Sequence, residues 1–100
     1  MDLDTAIREA IKTGRVEMGL DTVTKAAITG RARMVIVSTM CPPAKLDDLS
    51  RYTGLSGTPL IRYKGSSADL GRACRKPFQV ASLAVIDPGN SNIMSAAKGA

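Results

Sequence analysis

The stretch Met34-Val-Ile-Val37 decides the fold class of this chain. A continuous run rich in β-branched residues is typical of a strand that is buried on both faces of a sheet. Residues with the spacing of one helix face stand on both sides of it: Val23, Ala26 and Ala27 before it, and Leu46, Leu49 and Thr53 after it. A buried strand between two such helices predicts an α/β fold.

Capping residues and glycines set the predicted boundaries of these two helices. We expect Asp21 or Thr22 to cap the first of them and Gly30 to end it. The second begins at a proline, residue 43, which suits the first turn of a helix. Gly54 and Gly57 are expected to break it.

The alternation of helices and strands continues towards both ends. A helix capped by Asp2 or Asp4 and ended by a φ-positive Gly14 precedes a predicted strand, Arg15 to Met18. The remaining predictions are strands over 60–63 and 80–86, a last helix over 91–97, and a short helix opened by the capping box Ser66-Ser-Ala-Asp69. Alternating helices and strands require helices on both faces of the sheet.

The composition bounds the class of protein. The chain has 100 residues, of which 44% are apolar, and this predicts one globular domain over 1–100 with a disordered tail at 98–100. The acidic start lacks the cations of a signal peptide, and the longest nearly apolar stretch has seven residues, 80–86, too few to cross a bilayer. We therefore expect a soluble intracellular protein without a membrane partner.

Catalytic and metal-binding patterns are missing from the sequence. The chain has no histidine and only two cysteines, Cys41 and Cys74, which are too few for the usual zinc sites. Asp47 and Asp48 are adjacent, so on a helix they point in different directions, and no glycine-rich nucleotide motif occurs. The sequence predicts neither an enzyme nor a protein with a cofactor, a metal or a small-molecule substrate.

Positive charge is concentrated in the second half of the chain. Residues 51–100 carry the whole excess of +5, which favours a polyanionic partner or a solubilising surface. Four of these cations lie close together, and the only phenylalanine follows them: Lys64, Arg72, Arg75, Lys76 and Phe78. Such a cluster is typical of a site for single-stranded RNA, in which the cations pair with phosphates and the ring stacks on an unpaired base. The alternative is that Phe78 is an ordinary core residue.

The start of the second predicted helix is another candidate phosphate-binding site, because its backbone N–H groups are free and Lys25 lies one turn further on. The Asp21 carboxylate would compete with a phosphate for these donors.

Four stretches together resemble the archaeal and eukaryotic ribosomal protein L-thirty-e family, within the L-seven-Ae superfamily of kink-turn RNA-binding proteins. They are TGRVEMGLDTVTKAAITGRARMVIVS (13–38), LSRYTGLSGTPLIRYKGSSADLGRACRKPF (49–78), VASLAVIDPG (80–89) and NSNIM (90–94). The resemblance implies a three-layer α/β/α sandwich around a four-stranded mixed sheet. It also implies a structural component of the large ribosomal subunit that binds ribosomal RNA, in the cytoplasm, beside neighbouring ribosomal proteins and as a monomer off the ribosome.

By this resemblance, three loops and nearby polar residues bind a kinked RNA internal loop. The implied contacts are Gly19, Leu20, Asp21, Thr22 and Lys25 in the first region, Met40, Cys41 and Lys45 in the second, Arg75, Lys76 and Phe78 in the third, and Ser67 and Asp69 near the same surface. Arg72 is added to these candidates as a member of the basic cluster. Relatives usually carry Asn, Lys or Arg at the Asp21 position and polar residues at Met40-Cys41, so individual hydrogen bonds differ here. Alternatives are a kink-turn protein of guide-RNA particles and a protein-interaction module on the same fold.

Overall fold

A computed structural model describes residues 3–39, 41–91 and 93 of the chain. Helices and strands alternate along this part. Their bounds are α1 Leu3–Thr13, β1 Arg15–Met18, α2 Leu20–Ile28, β2 Met34–Val37, α3 Pro43–Ser56, β3 Leu60–Arg62, α4 Ser67–Ala73 and β4 Ser82–Asp87.

The four strands form one mixed sheet in the order β1-β4-β2-β3. Strand β4 pairs antiparallel with both β1 and β2, and β2 pairs parallel with β3. All four residues of β2 are buried, which confirms the prediction from the Met34–Val37 run. Strand β2 therefore lies inside the sheet, with a partner strand on each side.

The two faces of the sheet carry separate hydrophobic cores. Successive side chains of a strand point to opposite faces, so Met34 and Ile36 pack with α1 and α4, whereas Val35 and Val37 pack with α2 and α3. The protein is thus a three-layer α/β/α sandwich, as the resemblance implied. This arrangement leaves the ends of the strands for loops.

The predicted cap of α2 is wrong. The helix begins at Leu20, and its N-cap is Gly19, which has φ of 102° and ψ of 141° and makes no side-chain capping bond. Because glycine has no Cβ, it adopts this conformation without strain and turns the chain from β1 into α2 within one residue. Asp21 and Thr22 consequently lie in the first helical turn instead of before it.

Two predicted glycine roles also need correction. Gly54 lies inside α3, which continues to Ser56 and ends at the left-handed Gly57 with φ of 71°. Gly14 follows α1 but does not have a positive φ. A Cβ there would overlap the Asp87 carbonyl oxygen, so glycine is required because the two backbone segments lie so close together.

The last two strands are shorter than expected. Strand β3 ends at Arg62, one residue before the predicted end, and β4 starts at Ser82 instead of Val80. The Val80 amide donates to the Ser67 carbonyl at 3.0 Å, so this residue pairs with α4 rather than with a neighbouring strand.

The predicted C-terminal helix and tail, the Asp2 cap and the Met40 contact fall mostly outside the described residues. Within them, Ile93 is buried against the α1 side of the sheet. None of the helices that the structure describes is long and apolar enough to span a membrane. The same residues contain no cluster of three or more His, Cys, Asp or Glu side chains suited to a metal ion.

Candidate nucleic-acid interface

The sheet topology brings several loops to one end of the molecule. Strands β1, β2 and β3 run in the same direction, because both β1 and β2 are antiparallel to β4 and β3 is parallel to β2. Their carboxyl ends therefore meet beside the start of β4. We call this end, formed by residues 19–22, 38–39, 41, 63–67 and 78–81, the loop edge.

Backbone hydrogen bonds hold these loops together. The Gly19 amide donates to the Ser82 carbonyl at 3.3 Å, and the Ser38 amide donates to the Ala81 carbonyl at 2.9 Å. Thr39 donates from both its amide and its hydroxyl to the Gly65 carbonyl, at 3.0 and 2.9 Å. The first and second regions implied by the resemblance are thus fixed to the chain that leads into β4.

Buried hydroxyls support the loop edge from inside. Ser38 Oγ and Ser67 Oγ lie 2.9 Å apart and share a hydrogen bond. Ser67 is only 6% exposed, so its side chain positions loops instead of reaching a ligand directly. Ser82 Oγ is also buried and has no hydrogen-bond partner among the described residues. Sequence reasoning did not predict the Ser38–Ser67 hydrogen bond or the buried Ser82 hydroxyl. An isolated serine carries no local sequence signal of whether it is buried or which group it contacts.

The first turn of α2 has open backbone donors. The first intrahelical bond runs from the Val23 amide to the Gly19 carbonyl at 2.9 Å. In the described part of the chain, the amides of Leu20, Asp21 and Thr22 have no hydrogen-bond acceptor. A helix start with unsatisfied N–H groups attracts anions. Asp21 is exposed beside these donors and places a negative charge among them.

The second loop contributes less side-chain polarity than its position suggests. Cys41 is 8% exposed and packs in the core between the sheet, α2 and α3. Burial raises the pKa of the Cys41 thiol, so the side chain stays neutral. Lys45, in the first turn of α3, is partly exposed and supplies the cation of this loop.

The start of α4 is closed by its own side chains. Ser66 Oγ accepts from the Asp69 amide at 3.2 Å, and the Asp69 carboxylate accepts from the Ser66 amide at 3.0 Å. This confirms the predicted capping box. Hydrogen bonds from Ser66, together with the Arg72 guanidinium, hold the pKa of Asp69 below its ordinary value. Asp69 and Arg72 also form an ion pair, which offsets both charges.

Phe78 is a surface residue. Its side chain is 56% exposed and lies in a shallow depression with Ala68, Arg72 and Lys76, so the core alternative for this residue does not hold. Gly71 makes this placement possible, because a Cβ there would overlap the Phe78 carbonyl oxygen. The ring is therefore available beside the first turns of α4.

The basic residues after α4 are not all at the loop edge. Arg75 and Lys76 follow the carboxyl end of α4 and line a groove beside α1. Helix α4 has seven residues and spans about 10 Å, so Arg75 is set back from the start of α4 by roughly that distance, whereas Lys76 also lines the depression that holds Phe78. The structure places most of the predicted contacts at or near the loop edge: Gly19, Leu20, Asp21, Thr22, Lys25, Cys41, Lys45, Ser67, Asp69, Arg72 and Phe78. Arg75 lies in the groove beside α1, and Lys76 lines both this groove and the depression that holds Phe78.

Sequence similarity to known proteins extends along nearly the whole chain. The model of the ribosomal protein L7Ae/L30e/S12e/Gadd45 family matches residues 1–95. The chain is 43% identical over 94 residues to a protein of Methanobrevibacter smithii named large ribosomal subunit protein eL30, covering 94% of this chain and 95% of the relative. Proteins of the same name from Methanoregula boonei and Pyrobaculum calidifontis are 40% and 36% identical, over 95% and 94% of this chain and 95% and 93% of their own lengths.

The chain belongs to the ribosomal protein L7Ae/L30e/S12e/Gadd45 family. The matched region of this family member includes all of the loop edge, α4 and the cations beyond it. Sequence reasoning missed Arg8 and Lys12, which line the groove with Arg75 and Lys76. Their spacing of four residues places them on one helix face and could have indicated the cluster.

Proposed function

We propose that this protein is a structural, non-catalytic component of the large ribosomal subunit and binds ribosomal RNA at a kink-turn-like internal loop. The observation that carries the proposal is the open first turn of α2 at the loop edge, where three amides lack acceptors among the described residues. Family membership, with relatives named large ribosomal subunit protein eL30, supports the same conclusion.

In this proposal the RNA backbone approaches α2. The amides of Leu20, Asp21 and Thr22 donate to one phosphate, and the helix dipole favours the negative charge. Lys25 and Lys45 are exposed or partly exposed cations on α2 and α3 that reach flanking phosphates. Two strands of a kinked RNA repel each other where they approach, so closely spaced cations stabilise the bent form.

Phe78 completes the proposed interface. A ring that is more than half exposed at the loop edge offers a π-face to an unpaired base of the internal loop. Stacking does not distinguish strongly among bases, so the selectivity for a kinked loop comes from the arrangement of phosphates and not from base reading.

Salt dependence of binding tests the proposed mechanism. Filter binding of a short kink-turn oligonucleotide, with a duplex of equal length as the control RNA, is measured over a range of salt concentrations. If four to six phosphates are neutralised, the log–log slope for the kink-turn RNA is roughly −4 to −5. A slope near zero, or equal binding of the straight duplex, contradicts the proposal.

Cosedimentation tests the assignment to the large subunit. We expect the tagged protein to sediment with large ribosomal subunits in the cytoplasmic fraction and to be a monomer when released from them. Recovery with small guide RNAs instead would assign the same loop edge to the guide-RNA alternative, and recovery with proteins in the absence of RNA would support the protein-interaction alternative.

A further inference from the structure

A second basic surface lies on the α1 side of α4 and adjoins the Phe78 depression through Lys76. A groove of about 600 Å³ runs between α1 and the carboxyl end of α4. Four exposed cations line it, Arg8 and Lys12 from α1 and Arg75 and Lys76 from the segment after α4, and the carboxylate at its rim is Glu9. We call this surface the α1–α4 groove.

In the part of the chain that the structure describes, no ion pair joins a cation of the α1–α4 groove to a carboxylate. Ion pairs within the described residues use Arg15 and Arg31 with Glu17, Arg51 with Asp48, and Arg72 with Asp69. None of the four groove cations takes part in them. The groove therefore presents an excess of positive charge to solvent, unlike the start of α4, where Arg72 is paired.

Arg8 fixes the distance between the two walls of the groove. Its Nε donates to the Ala73 carbonyl at 3.2 Å, so it satisfies one of the last carbonyls of α4 from a helix 65 positions away in sequence. Helix carboxyl ends repel anions, because their carbonyls carry partial negative charge. At the end of α4, the Arg8 guanidinium binds one carbonyl and backbone amides bind others. These hydrogen bonds reduce the repulsion of an anion by the carbonyls.

Arg75 occupies a conformation that normally belongs to glycine. Its φ is 57°, and it is the only non-glycine residue with positive φ among those described. The Lys76 amide donates to the Gly71 carbonyl at 2.9 Å and the Arg75 amide to the Arg72 carbonyl at 3.0 Å, which is the Schellman arrangement of a helix end. Glycine would adopt this position with less strain. The chain therefore holds a strained arginine among the cations of this groove, and strain of this kind is common where a side chain has a binding role.

We propose that the α1–α4 groove binds a second segment of RNA backbone, with Arg8, Lys12, Arg75 and Lys76 contacting its phosphates. This inference rests on the proposed function, since it extends the RNA contact of the loop edge. The groove begins at Lys76, next to the Phe78 depression, and continues along α1, so an RNA segment that flanks the kinked loop enters it. The protein then connects two segments of the ribosomal RNA instead of capping one.

Two RNA probes distinguish this proposal from the loop-edge proposal. One is a short kink-turn oligonucleotide, which occupies the loop edge only; the other is a full-length transcript of large-subunit ribosomal RNA. The variant is the double substitution Lys12→Gln and Arg75→Gly. We expect its salt slope on the transcript to be shallower by about 2, one phosphate for each charge removed, and its slope on the oligonucleotide to equal that of the wild type.

Two further variants serve as controls. Arg51→Gln removes one charge from α3, on the opposite face of the sheet, and leaves both slopes unchanged. Arg75→Lys keeps the charge and retains wild-type binding of the transcript. Arg75→Gly by itself raises the melting temperature by a few degrees, because glycine relieves the left-handed strain. A lower melting temperature for Arg75→Gly would give Arg75 a structural role and overturn the strain argument.

The outcomes separate the two proposals. If the wild type binds neither RNA, the proposed function itself fails. If the wild type binds the oligonucleotide and the groove variant has an unchanged slope on the transcript, the groove proposal alone fails, and an acidic protein segment becomes the candidate occupant. A change in slope on both probes would mean that the two surfaces are one, which also contradicts the proposal.

Discussion

Helices α2 and α4 begin at the same edge of the sheet but differ in the hydrogen bonds that their first backbone amides make. Helix α4 opens with a complete capping box, in which Ser66 and Asp69 satisfy each other's backbone donors. Helix α2 opens at Gly19, which has no side chain, and the amides of its first turn lack acceptors within the described residues. The capping box gives the Ser66 and Asp69 amides acceptors within the protein, whereas the first turn of α2 is proposed to be completed by an external anion.

This difference assigns separate roles to neighbouring parts of the loop edge. Helix α4 is a fixed support, against which the Phe78 segment packs and from which the ring is exposed. Helix α2 is the part that we propose binds RNA. Asp69 belongs to the support, because its carboxylate is engaged by Ser66 and Arg72. Asp21, by contrast, stands exposed among open donors.

The largest expected effect tests α4 as a support. Gly71→Ala should destabilise the fold by about 2–3 kcal/mol, because the new methyl group would overlap the Phe78 carbonyl and force the segment away. Gly54→Ala is the matched control: it also lies inside a helix, but its Cβ would meet nothing within 4 Å. This control should gain about 1 kcal/mol from helix propensity. Urea unfolding measures both, and equal gains for the two variants would show that the segment does not rest on α4.

The next effect concerns the ring that α4 supports. Phe78→Leu should fold with nearly unchanged melting temperature, because the side chain is 56% exposed. Its RNA affinity should fall about 10- to 100-fold, since loss of stacking on an aromatic ring costs about 1–3 kcal/mol. Phe78→Ala should behave similarly, with a modest drop in melting temperature. Leu55→Ala, at an 82% exposed apolar residue of α3, should leave binding unchanged. Wild-type binding by Phe78→Leu would rule out stacking.

A smaller effect compares the two helix starts directly. Ser66→Ala removes the capping hydroxyl of α4 and should cost about 1 kcal/mol of folding free energy. Thr22→Ala removes a hydroxyl from the first turn of α2, where no side chain caps, and should cost nothing measurable. Thermal melts of the two variants decide the matter. Equal losses would mean that α2 is capped after all.

The same capping box has a pH signature. The pKa of Asp69 is lower in the folded protein than in the unfolded chain, because its hydrogen bonds require the carboxylate. Its contribution to stability is therefore complete above about pH 4, near the unfolded pKa, and is lost as the pH falls through the lower folded pKa. Asp69→Asn should remove this part of the acid dependence from the wild-type melting curve.

The smallest expected effect belongs to α2. Asp21→Asn should tighten binding of a kink-turn RNA about two- to fivefold, because a carboxylate at a helix start is worth roughly 0.3–1 kcal/mol and competes with phosphate. Folding stability should fall by no more than about 1 kcal/mol, because Asp21 interacts favourably with the helix dipole but does not cap the helix. Asp87→Asn removes the same charge at the opposite end of the sheet and should leave affinity unchanged. Weaker binding by Asp21→Asn would give the carboxylate a positive role.

Patterns that depend on neighbouring residues were readable from the sequence. The Met34–Val37 run predicts a doubly covered strand, because a buried strand needs no polar alternation, and β2 is buried at every position. The Ser66–Asp69 capping box is likewise local and was predicted correctly. The order of the strands was available only through family resemblance, since hydrophobic periodicity carries no information on which strands pair.

Features that depend on the tertiary arrangement were predicted wrongly or missed. Asp21 and Thr22 are typical capping residues, but the one-residue turn at Gly19 starts α2 before them. The left-handed Arg75 gives no sequence signal, because glycine is the residue expected there. Counting charge by halves of the chain also hid Arg8 and Lys12, whose contribution appears only when α1 lies against α4.

Amide hydrogen exchange, followed residue by residue with and without a kink-turn oligonucleotide, tests the contrast between α2 and α4 most directly. On RNA binding, exchange at the amides of Leu20, Asp21 and Thr22 should slow markedly, because each gains a phosphate acceptor. Exchange at the Asp69 amide should stay the same, because Ser66 Oγ already accepts from it. If the RNA binds while the α2 amides keep their free exchange rates, the phosphate does not dock at α2 and the account is wrong.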